Sequence, residues 1–130
     1  MSIKFTIPLN PVTKKNSSRI VNCGKYKKVL PSKAYEKYEK EAVLLIPYEV
    51  KQEIDYPVNV KATYYRKGNY RVDITNLESA LMDVLVKARV LKDDSSLNPK
   101  IIVSTDGSRV FIDNKNPRTE VEIVEYNSRN

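Results

Sequence analysis

Apolar and polar residues alternate along several stretches of the chain, and each stretch predicts a β-strand with one buried face. The alternation is regular over residues 2–7 and again over 57–65. Near the C-terminus, residues 100–104, 108–112 and 119–125 predict three more strands. Asp106 and Gly107 form a turn sequence, so the first two of these strands are expected to pair as a hairpin.

Helical spacing of apolar residues predicts a first helix over residues 33–45. Ser32 is its expected N-cap, and Pro47 is expected to end it. The residues on its apolar face are Tyr35, Tyr38, Ala42 and Leu45.

The strongest helical signal covers residues 75–88. Thr75 and Glu78 fit a capping box, in which the threonine side chain caps the helix and the glutamate reaches back to the threonine N–H. Six residues form one apolar arc, namely Leu77, Ala80, Leu81, Val84, Leu85 and Ala88. The arc predicts an amphipathic helix with one buried face.

Residues 8–31 form a long basic stretch between the first strand and the first helix. Within it, residues 22–24 predict a turn between two short β arms at 19–21 and 26–30. The predicted elements occupy a single domain over residues 1–130. The expected fold class is α+β, with a mostly antiparallel or mixed sheet and two main helices packed on it.

The composition excludes several kinds of active site. The chain has 130 residues, no histidine and one cysteine, Cys23. An internal disulfide, a histidine-dependent zinc site and a Ser-His-Asp triad are therefore excluded. Any chemistry must use carboxylates, lysines, hydroxyls or bound cations, and a metal site made only of carboxylates is the natural design for a nuclease of this composition.

The chain is basic, with a formal net charge of +7 and a pI of about 9.4. This charge favours a polyanionic partner, nucleic acid ahead of membrane, although a merely basic soluble protein has the same composition. No apolar stretch reaches transmembrane length, and the N-terminus has no signal-peptide core. A cytoplasmic protein with no membrane partner is expected.

Four aspartates near the second helix are candidates for a metal site. Asp73 precedes the helix, Asp83 lies within it, and Asp93 and Asp94 follow it. A chain that returns after the helix brings Asp94 near Asp73, and Mg²⁺ prefers carboxylate oxygens together with water and phosphate oxygens. By spacing alone, a solvated acidic surface is the favoured interpretation.

Three short sequences follow one another through this region: RVDITNL at 71–77, ALMDVL at 80–85 and KDDSS at 92–96. Together they resemble the signature of the RusA-like Holliday-junction resolvases, in which a basic residue precedes D-x-D-N-L, a helix ends in D-A-L, and a D-D pair follows. The tract at 14–16, Arg19 and the helix entry at 32–35 also resemble the start of that family.

The resemblance implies a structure-selective endodeoxyribonuclease that resolves four-way DNA junctions in recombination and repair. It implies Mg²⁺ or Mn²⁺ as the metal, no small-molecule cofactor, and a homodimer with two active sites. Asp73 and Asp94 match the metal-site residues of the family, with Asp93 beside them, and Asp83 matches the helical aspartate. A nucleoid-associated protein encoded by a host, a phage or a prophage is expected.

Two positions depart from the family signature. Thr75 stands in place of the second aspartate of D-x-D-N, and Ser79 stands in place of a lysine. Glu78 is a candidate for the missing carboxylate, but it serves either the capping box or the metal. Lys87 or Lys92 is a candidate for the missing lysine, although neither matches its position. A junction-binding protein with weak or no cleavage activity is therefore the alternative.

Binding a junction requires positive charge over a wide surface. The residues expected to contact DNA are Lys14, Lys15, Asn16, Arg19, Arg66, Lys67 and Arg71. Tyr26, Tyr65 and Tyr70 either stack on unpaired bases or cover the sheet. Met82 and Val86 lie off the apolar arc, where they form part of a dimer contact or pack under a loop. A protein-interaction module unrelated to DNA is the remaining hypothesis.

Overall fold

The helices and strands follow the predicted order along the chain. The computed structural model describes residues 2–14, 19–24, 26–30, 32–69, 72–92 and 101–126. Its elements are β1 (Ser2–Ile7), β2 (Arg19–Cys23), β3 (Tyr26–Leu30), α1 (Lys33–Leu45), a short 3₁₀ helix (Tyr48–Val50), β4 (Val58–Arg66), α2 (Ile74–Lys87), β5 (Ile102–Ser104), β6 (Arg109–Ile112) and β7 (Arg118–Glu125). Neither α-helix of the described residues has the length and apolar composition needed to cross a bilayer.

The main sheet is mixed, and β4 is its longest strand. The strands lie in the order β1–β7–β4, and β5 and β6 both pair with the other edge of β4. β7 is antiparallel to β1 and to β4, whereas β5 and β6 are parallel to β4. β2 and β3 form a separate antiparallel hairpin next to Gly24. The α+β prediction, with a mixed sheet and two helices, is confirmed.

The expected hairpin between the strands on either side of Gly107 is wrong. β5 and β6 lie one after the other along β4 and run in the same direction. In the gap between them, the Ala62 N–H donates to Ser108 Oγ at 3.0 Å. The Asn59 side chain accepts from the Asp106 N–H at 2.8 Å. These side chains replace the backbone hydrogen bonds that are missing between the β4–β5 and β4–β6 pairings. After the turn at 105–108, the chain therefore continues along the same edge of β4 and does not reverse its direction.

The hydrophobic core lies between one face of the sheet and the two helices. Every second residue of β4 from Val58 to Tyr64 is buried, and the intervening residues are half-buried or exposed. The predicted arc of α2 is buried at all six positions, with Val84 and Leu85 at 0% exposure. This one-sided burial follows from the period of two in the strands and of about 3.6 in the helices.

Two predicted details of the helices are wrong. Leu45 is 46% exposed, because the buried stripe of α1 runs from Tyr35 through Ala42 to Ile46. Helix α2 begins at Ile74, so its N-cap is Asp73 and not Thr75. The Asp73 carbonyl accepts the first helical hydrogen bonds, from the Asn76 and Leu77 N–H groups. Partial burial of Ile74 against the core favours this earlier start.

Three tyrosines in the core, Tyr35, Tyr38 and Tyr64, make the stability of the protein sensitive to alkali. Burial raises the pKa of all three phenols, that of Tyr38 to about 12. Above about pH 10 the unfolded tyrosines ionise while the folded ones keep their protons. The free energy of unfolding is therefore expected to be insensitive to these groups at neutral pH and to fall with rising pH by about 1.4 kcal/mol per unit for each tyrosine.

Urea unfolding at a series of pH values from neutral to about pH 11 measures this effect. Tyr38→Phe is the matched variant, because it removes one ionising phenol and keeps the ring. Its alkaline slope should be smaller than that of the wild type. Equal slopes in the two proteins would contradict the assignment of Tyr38 to this loss of stability.

Candidate active site

Asp73 places a carboxylate at the N-terminus of α2, beside the loop that follows β4. The residue is exposed, and its side chain makes no capping hydrogen bond to the first turn of the helix. The first turn of α2 contains no other acidic residue. The carboxylate of Asp73 is therefore not used to cap the helix, and its oxygens are of the kind that Mg²⁺ prefers.

Glu78 lies one turn further along α2 and is half-buried near Tyr64 of β4. Burial raises the pKa of the Tyr64 phenol, and the negative charge of Glu78 raises it further. The Tyr64 hydroxyl is buried without a hydrogen-bond partner among the described residues. Since α2 begins at Ile74, Glu78 lies too far from the N-cap to close a capping box, which leaves its carboxylate for another role.

Asp83 of α2 forms an ion pair with Lys14, which follows β1 in the chain. Lys14 Nζ forms a salt bridge with Asp83 Oδ2, and each side chain is about two-fifths exposed. The same ammonium group lies 5.7 Å from the centre of the Tyr35 ring. Asp83 follows Asp73 by ten residues, which corresponds to about 15 Å along the helix axis. The structure therefore separates these two aspartates, and one metal ion cannot contact both.

Lys87 lies at the C-terminal end of α2, where it pairs with α1. Lys87 Nζ is 2.5 Å from Glu39 Oε1, and Glu39 Oε2 accepts a hydrogen bond from the Tyr35 hydroxyl at 3.1 Å. The helix rise puts Lys87 about 20 Å from Asp73 along the axis. This distance corrects the expectation that Lys87 replaces the lysine missing at Ser79, because its ammonium group cannot reach a phosphate bound at Asp73.

Several predicted site residues lie outside the described part of the chain. These are Asp93 and Asp94 of the expected metal site, and Lys15, Asn16 and Arg71 of the expected DNA contacts. For Arg19 the structure describes the backbone in β2 but not the side chain. Within the described residues, no three acidic or cysteine side chains are grouped closely enough to hold a metal ion.

The basic loop after β4 is shorter than predicted. Arg66 belongs to β4 and is only 6% exposed, so its side chain lies in the interior and not on a DNA-binding surface. Lys67 is exposed, and its backbone N–H donates to Asn10 Oδ1 at 2.8 Å. The next N–H, that of Gly68, donates to Asn114 Oδ1 at 2.7 Å. Two asparagine side chains thus fix the loop that presents Lys67.

Tyr65 packs on the sheet and is not available to stack on a base. Its ring stacks on Phe111 with a centroid distance of 5.6 Å, and the Arg118 guanidinium lies 3.7 Å from its centre. Arg118 is held in turn by Asp113 and Glu120, each at 3.0 Å. Of the two roles considered for Tyr65, covering the sheet is the one that the structure favours.

Two contacts of this region have no signal in the sequence. Glu39 lies 48 positions before Lys87, and Asp83 lies far along the chain from Lys14, so neither ion pair follows from local spacing. The proximity of Tyr64 to Glu78, whose charge raises the pKa of the phenol, also has no signal in the sequence. The alternation over residues 57–65 predicts that Tyr64 is buried, but it does not identify the acidic residue near it.

A model of a known protein family matches most of the chain. The family model described as endodeoxyribonuclease RusA matches residues 8–124. The match includes α2 and the segment 71–94 that contains the predicted metal ligands. The comparison with curated proteins gives no match.

Proposed function

Because the chain belongs to the RusA endodeoxyribonuclease family, we propose that it is a magnesium-dependent nuclease that cuts four-way DNA junctions during recombination and repair. Manganese is the second metal expected to support cutting. The observation that carries the proposal is the exposed, uncapped carboxylate of Asp73 at the start of α2, inside the matched segment. A homodimer is part of the proposal, since symmetric cutting of a junction needs two active sites.

Asp73 and Asp94, with Asp93 beside them, are the residues that would hold the metal. The donor chemistry fits, because carboxylate oxygens are the ligands that magnesium prefers. A magnesium ion, when bound, lowers the pKa of a water and stabilises the negative charge that develops on the phosphate. Glu78 follows Asp73 by five residues, about 7.5 Å along the helix axis, and it would supply the carboxylate that is missing at Thr75. Its negative charge raises the pKa of the nearby Tyr64 phenol. Asp83 has no part in the proposed metal site and forms a salt bridge with Lys14.

The DNA backbone is bound by cations around this helix. Lys14 and Lys67 are the described residues that we assign to phosphate contacts. We assign the same role to Lys15, Asn16, Arg19 and Arg71, whose side chains lie outside the described part of the structure. Lysine and arginine side chains on phosphate give affinity that does not depend on base sequence. Selectivity for a junction then comes from the shape of the branched DNA. Binding is expected to weaken steeply as the salt concentration rises.

Cleavage of a labelled, mobile four-way junction tests the proposal. Linear duplex and single-stranded DNA are run beside it, with magnesium in one series and EDTA in the other. Paired, symmetric nicks on the junction alone, lost in EDTA, are expected. Absence of both cutting and salt-dependent junction binding would contradict the proposal and favour a module that does not act on DNA.

A protein that binds junctions without cutting them is the second candidate. The observation that favours it is the pair of exposed residues on α2, Thr75 and Ser79, where the family signature has an aspartate and a lysine. Neither side chain supplies the missing charge. Tight junction binding with no nicks, in magnesium or in manganese, would support this candidate over the nuclease.

Thr75→Asp is expected to raise the cleavage rate. Thr75 is exposed in the first turn of α2 and does not cap the helix, so the change disrupts no described contact. It restores a second carboxylate near Asp73, and an increase of about tenfold or more corresponds to at least about 1.4 kcal/mol of transition-state stabilisation. An acidic residue in the first turn also stabilises the helix by about 0.3–1 kcal/mol.

Single-turnover cleavage rates measure this change, and Thr75→Asn is the matched control. Asparagine has the shape of aspartate without its charge, so this variant should cut at the wild-type rate. If the aspartate and asparagine variants cut equally fast, the position of Thr75 contributes nothing to the metal site.

A further inference from the structure

An open groove lies between α1 and the C-terminal end of α2. Its volume is about 920 Å³, which is within the range of sites that hold a ligand. One face of α1 provides most of the lining, and Lys87 of α2 contributes from the neighbouring helix. Four lysines and two apolar residues give this lysine groove its character: Lys33, Lys37, Lys40, Lys87, Val43 and Leu44. The groove thus combines positive charge with apolar surface.

The α1 side of the lysine groove is a single stripe of side chains. Lys33, Lys37, Lys40 and Leu44 follow at spacings of four, three and four residues, so they lie one above another on one face of the helix. All four are exposed, and Leu44 is 77% exposed beside half-buried Val43. Cations are favoured at the C-terminal end of a helix, yet the last turn of α1 has none. The stability of α1 therefore does not explain this order of charges.

Lys87 is fixed in position beside the stripe. Its Nζ lies 2.5 Å from Glu39 Oε1, and its side chain remains 59% exposed. The other carboxylate oxygen of Glu39 accepts a hydrogen bond from the Tyr35 hydroxyl at 3.1 Å. An ammonium group has three donors, so Lys87 can donate to a bound carboxylate while it stays paired with Glu39. A cation that is already held in place loses little conformational entropy when a ligand binds.

Positive charge exceeds negative charge around the lysine groove. Four lysines line it against two glutamates, Glu36 and Glu39. Both oxygens of Glu39 are engaged within the fold, by Lys87 and Tyr35, which reduces its repulsion of an anionic ligand. The contact of Lys37 with Glu41 is long, at 3.9 Å, and solvent-exposed, so it holds Lys37 only weakly. The charge of the groove is therefore complementary to an acidic ligand.

We propose that the lysine groove binds an acidic segment of a partner protein that has an apolar side chain at one end. Carboxylates of the segment pair with the lysine stripe and with Lys87, and its apolar side chain covers Leu44 and Val43. The stripe from residue 33 to residue 44 is about 16 Å long. An extended peptide spans that length with about five residues.

A peptide matches this surface better than a DNA strand does. A phosphate backbone satisfies the lysines but leaves Leu44 and Val43 exposed to water, whereas a peptide carries both acidic and apolar groups. Lys87 lies about 20 Å from Asp73 along the axis of α2. The groove is thus separate from the proposed metal site and can be occupied while DNA is bound there, so this binding does not depend on the nuclease function.

Fluorescence anisotropy with a labelled synthetic peptide tests the proposal. The probe consists of three aspartates followed by two leucines. Two matched peptides carry lysines in place of the aspartates or serines in place of the leucines. The full chain should bind the probe at least about tenfold more tightly than either matched peptide, a difference of about 1.4 kcal/mol. A wild type that does not bind the probe, or that binds all three peptides equally, would overturn the proposal.

Two variants of the stripe separate its charge from its apolar end. Lys40→Glu and Leu44→Ser should each raise the Kd for the probe about tenfold, because one reverses a charge and the other removes an apolar contact. Both positions are exposed, so the fold should be retained. Lys115→Glu is the matched control, because it makes the same change of charge at an exposed position between β6 and β7. Equal losses in Lys40→Glu and Lys115→Glu would contradict a specific site.

Two further measurements distinguish other occupants of the lysine groove. Lys40→Glu should bind a four-way junction within a few-fold of the wild type, and the junction should not displace the probe. Displacement, or loss of junction binding in this variant, would assign the groove to DNA and overturn the proposal. Leu44→Ser should sediment like the wild type, and a change in its molar mass would assign the groove to a second copy of the chain. Failure of cleavage in a protein that binds the probe would contradict only the nuclease function.

Discussion

Replacing Asp73 with asparagine is expected to abolish magnesium-dependent cutting of a four-way junction while leaving junction binding intact or tighter. Asp73 is the described carboxylate that stands exposed at the start of α2 without a capping hydrogen bond. Loss of a metal ligand removes several kcal/mol of transition-state stabilisation, so the rate should fall at least about 100-fold. Binding should not weaken, because the variant also removes repulsion between a carboxylate and a phosphate.

Single-turnover cleavage and gel-shift binding, measured on the same junction, separate the two effects. Asp83→Asn is the matched control, because it makes the same chemical change on the same helix. Asp83 lies about 15 Å along the axis from Asp73 and is paired with Lys14. This variant should cut within a few-fold of the wild-type rate. Full activity of Asp73→Asn would mean that the metal is bound elsewhere, and loss of activity in Asp83→Asn would move it to the middle of α2.

Leu85→Ala is expected to lower the free energy of unfolding by about 2–5 kcal/mol. The Leu85 side chain is completely buried, at 0% exposure, on the face of α2 that packs against the core. Truncation removes apolar contacts and leaves a cavity that the surrounding side chains fill only in part. For a domain whose total stability is about 5–15 kcal/mol, this is a large fraction. Urea unfolding followed by circular dichroism measures the change.

Leu45→Ala provides the matched comparison for Leu85→Ala. Both changes truncate a leucine on a helix, but Leu45 is 46% exposed. The loss of stability at Leu45 should be clearly smaller, below about 1 kcal/mol. Similar losses for the two variants would show that Leu45 is buried in solution, as its sequence spacing predicts.

The elements of the fold follow from the sequence because their signals are local. Alternation identifies β1 and β4, and helical spacing identifies the buried arc of α2, since each pattern repeats within a few residues. Pairing between strands is not a local property. The turn at Gly107 predicts a hairpin, but β5 and β6 both pair in parallel with β4. Between these two strands, the Ala62 N–H of β4 donates a hydrogen bond to Ser108 Oγ.

The candidate site was predictable only as far as the family motif extends along the chain. The motif identifies Asp73, and the structure adds that α2 starts there, because Ile74 packs on the core. The partner of Asp83 is Lys14, and the partner of Lys87 is Glu39 of α1. Because both partners lie outside α2, no pattern within this helix identifies them. These ion pairs give the two side chains structural partners, and the proposed metal site is therefore placed at the N-terminal end of the helix.

The position of β7 in the sheet has a consequence for the newly synthesised chain. Among the described strands, β7 is translated after all the others, and it lies between β1 and β4. Until residues 118–125 leave the ribosome, β1 lacks the strand with which it pairs in the described part of the chain, and the core beneath α2 stays open. A sheet of such distant segments closes late in folding. The protein is therefore expected to remain unable to cut DNA until residues 118–125 have emerged from the ribosome and paired with β1 and β4.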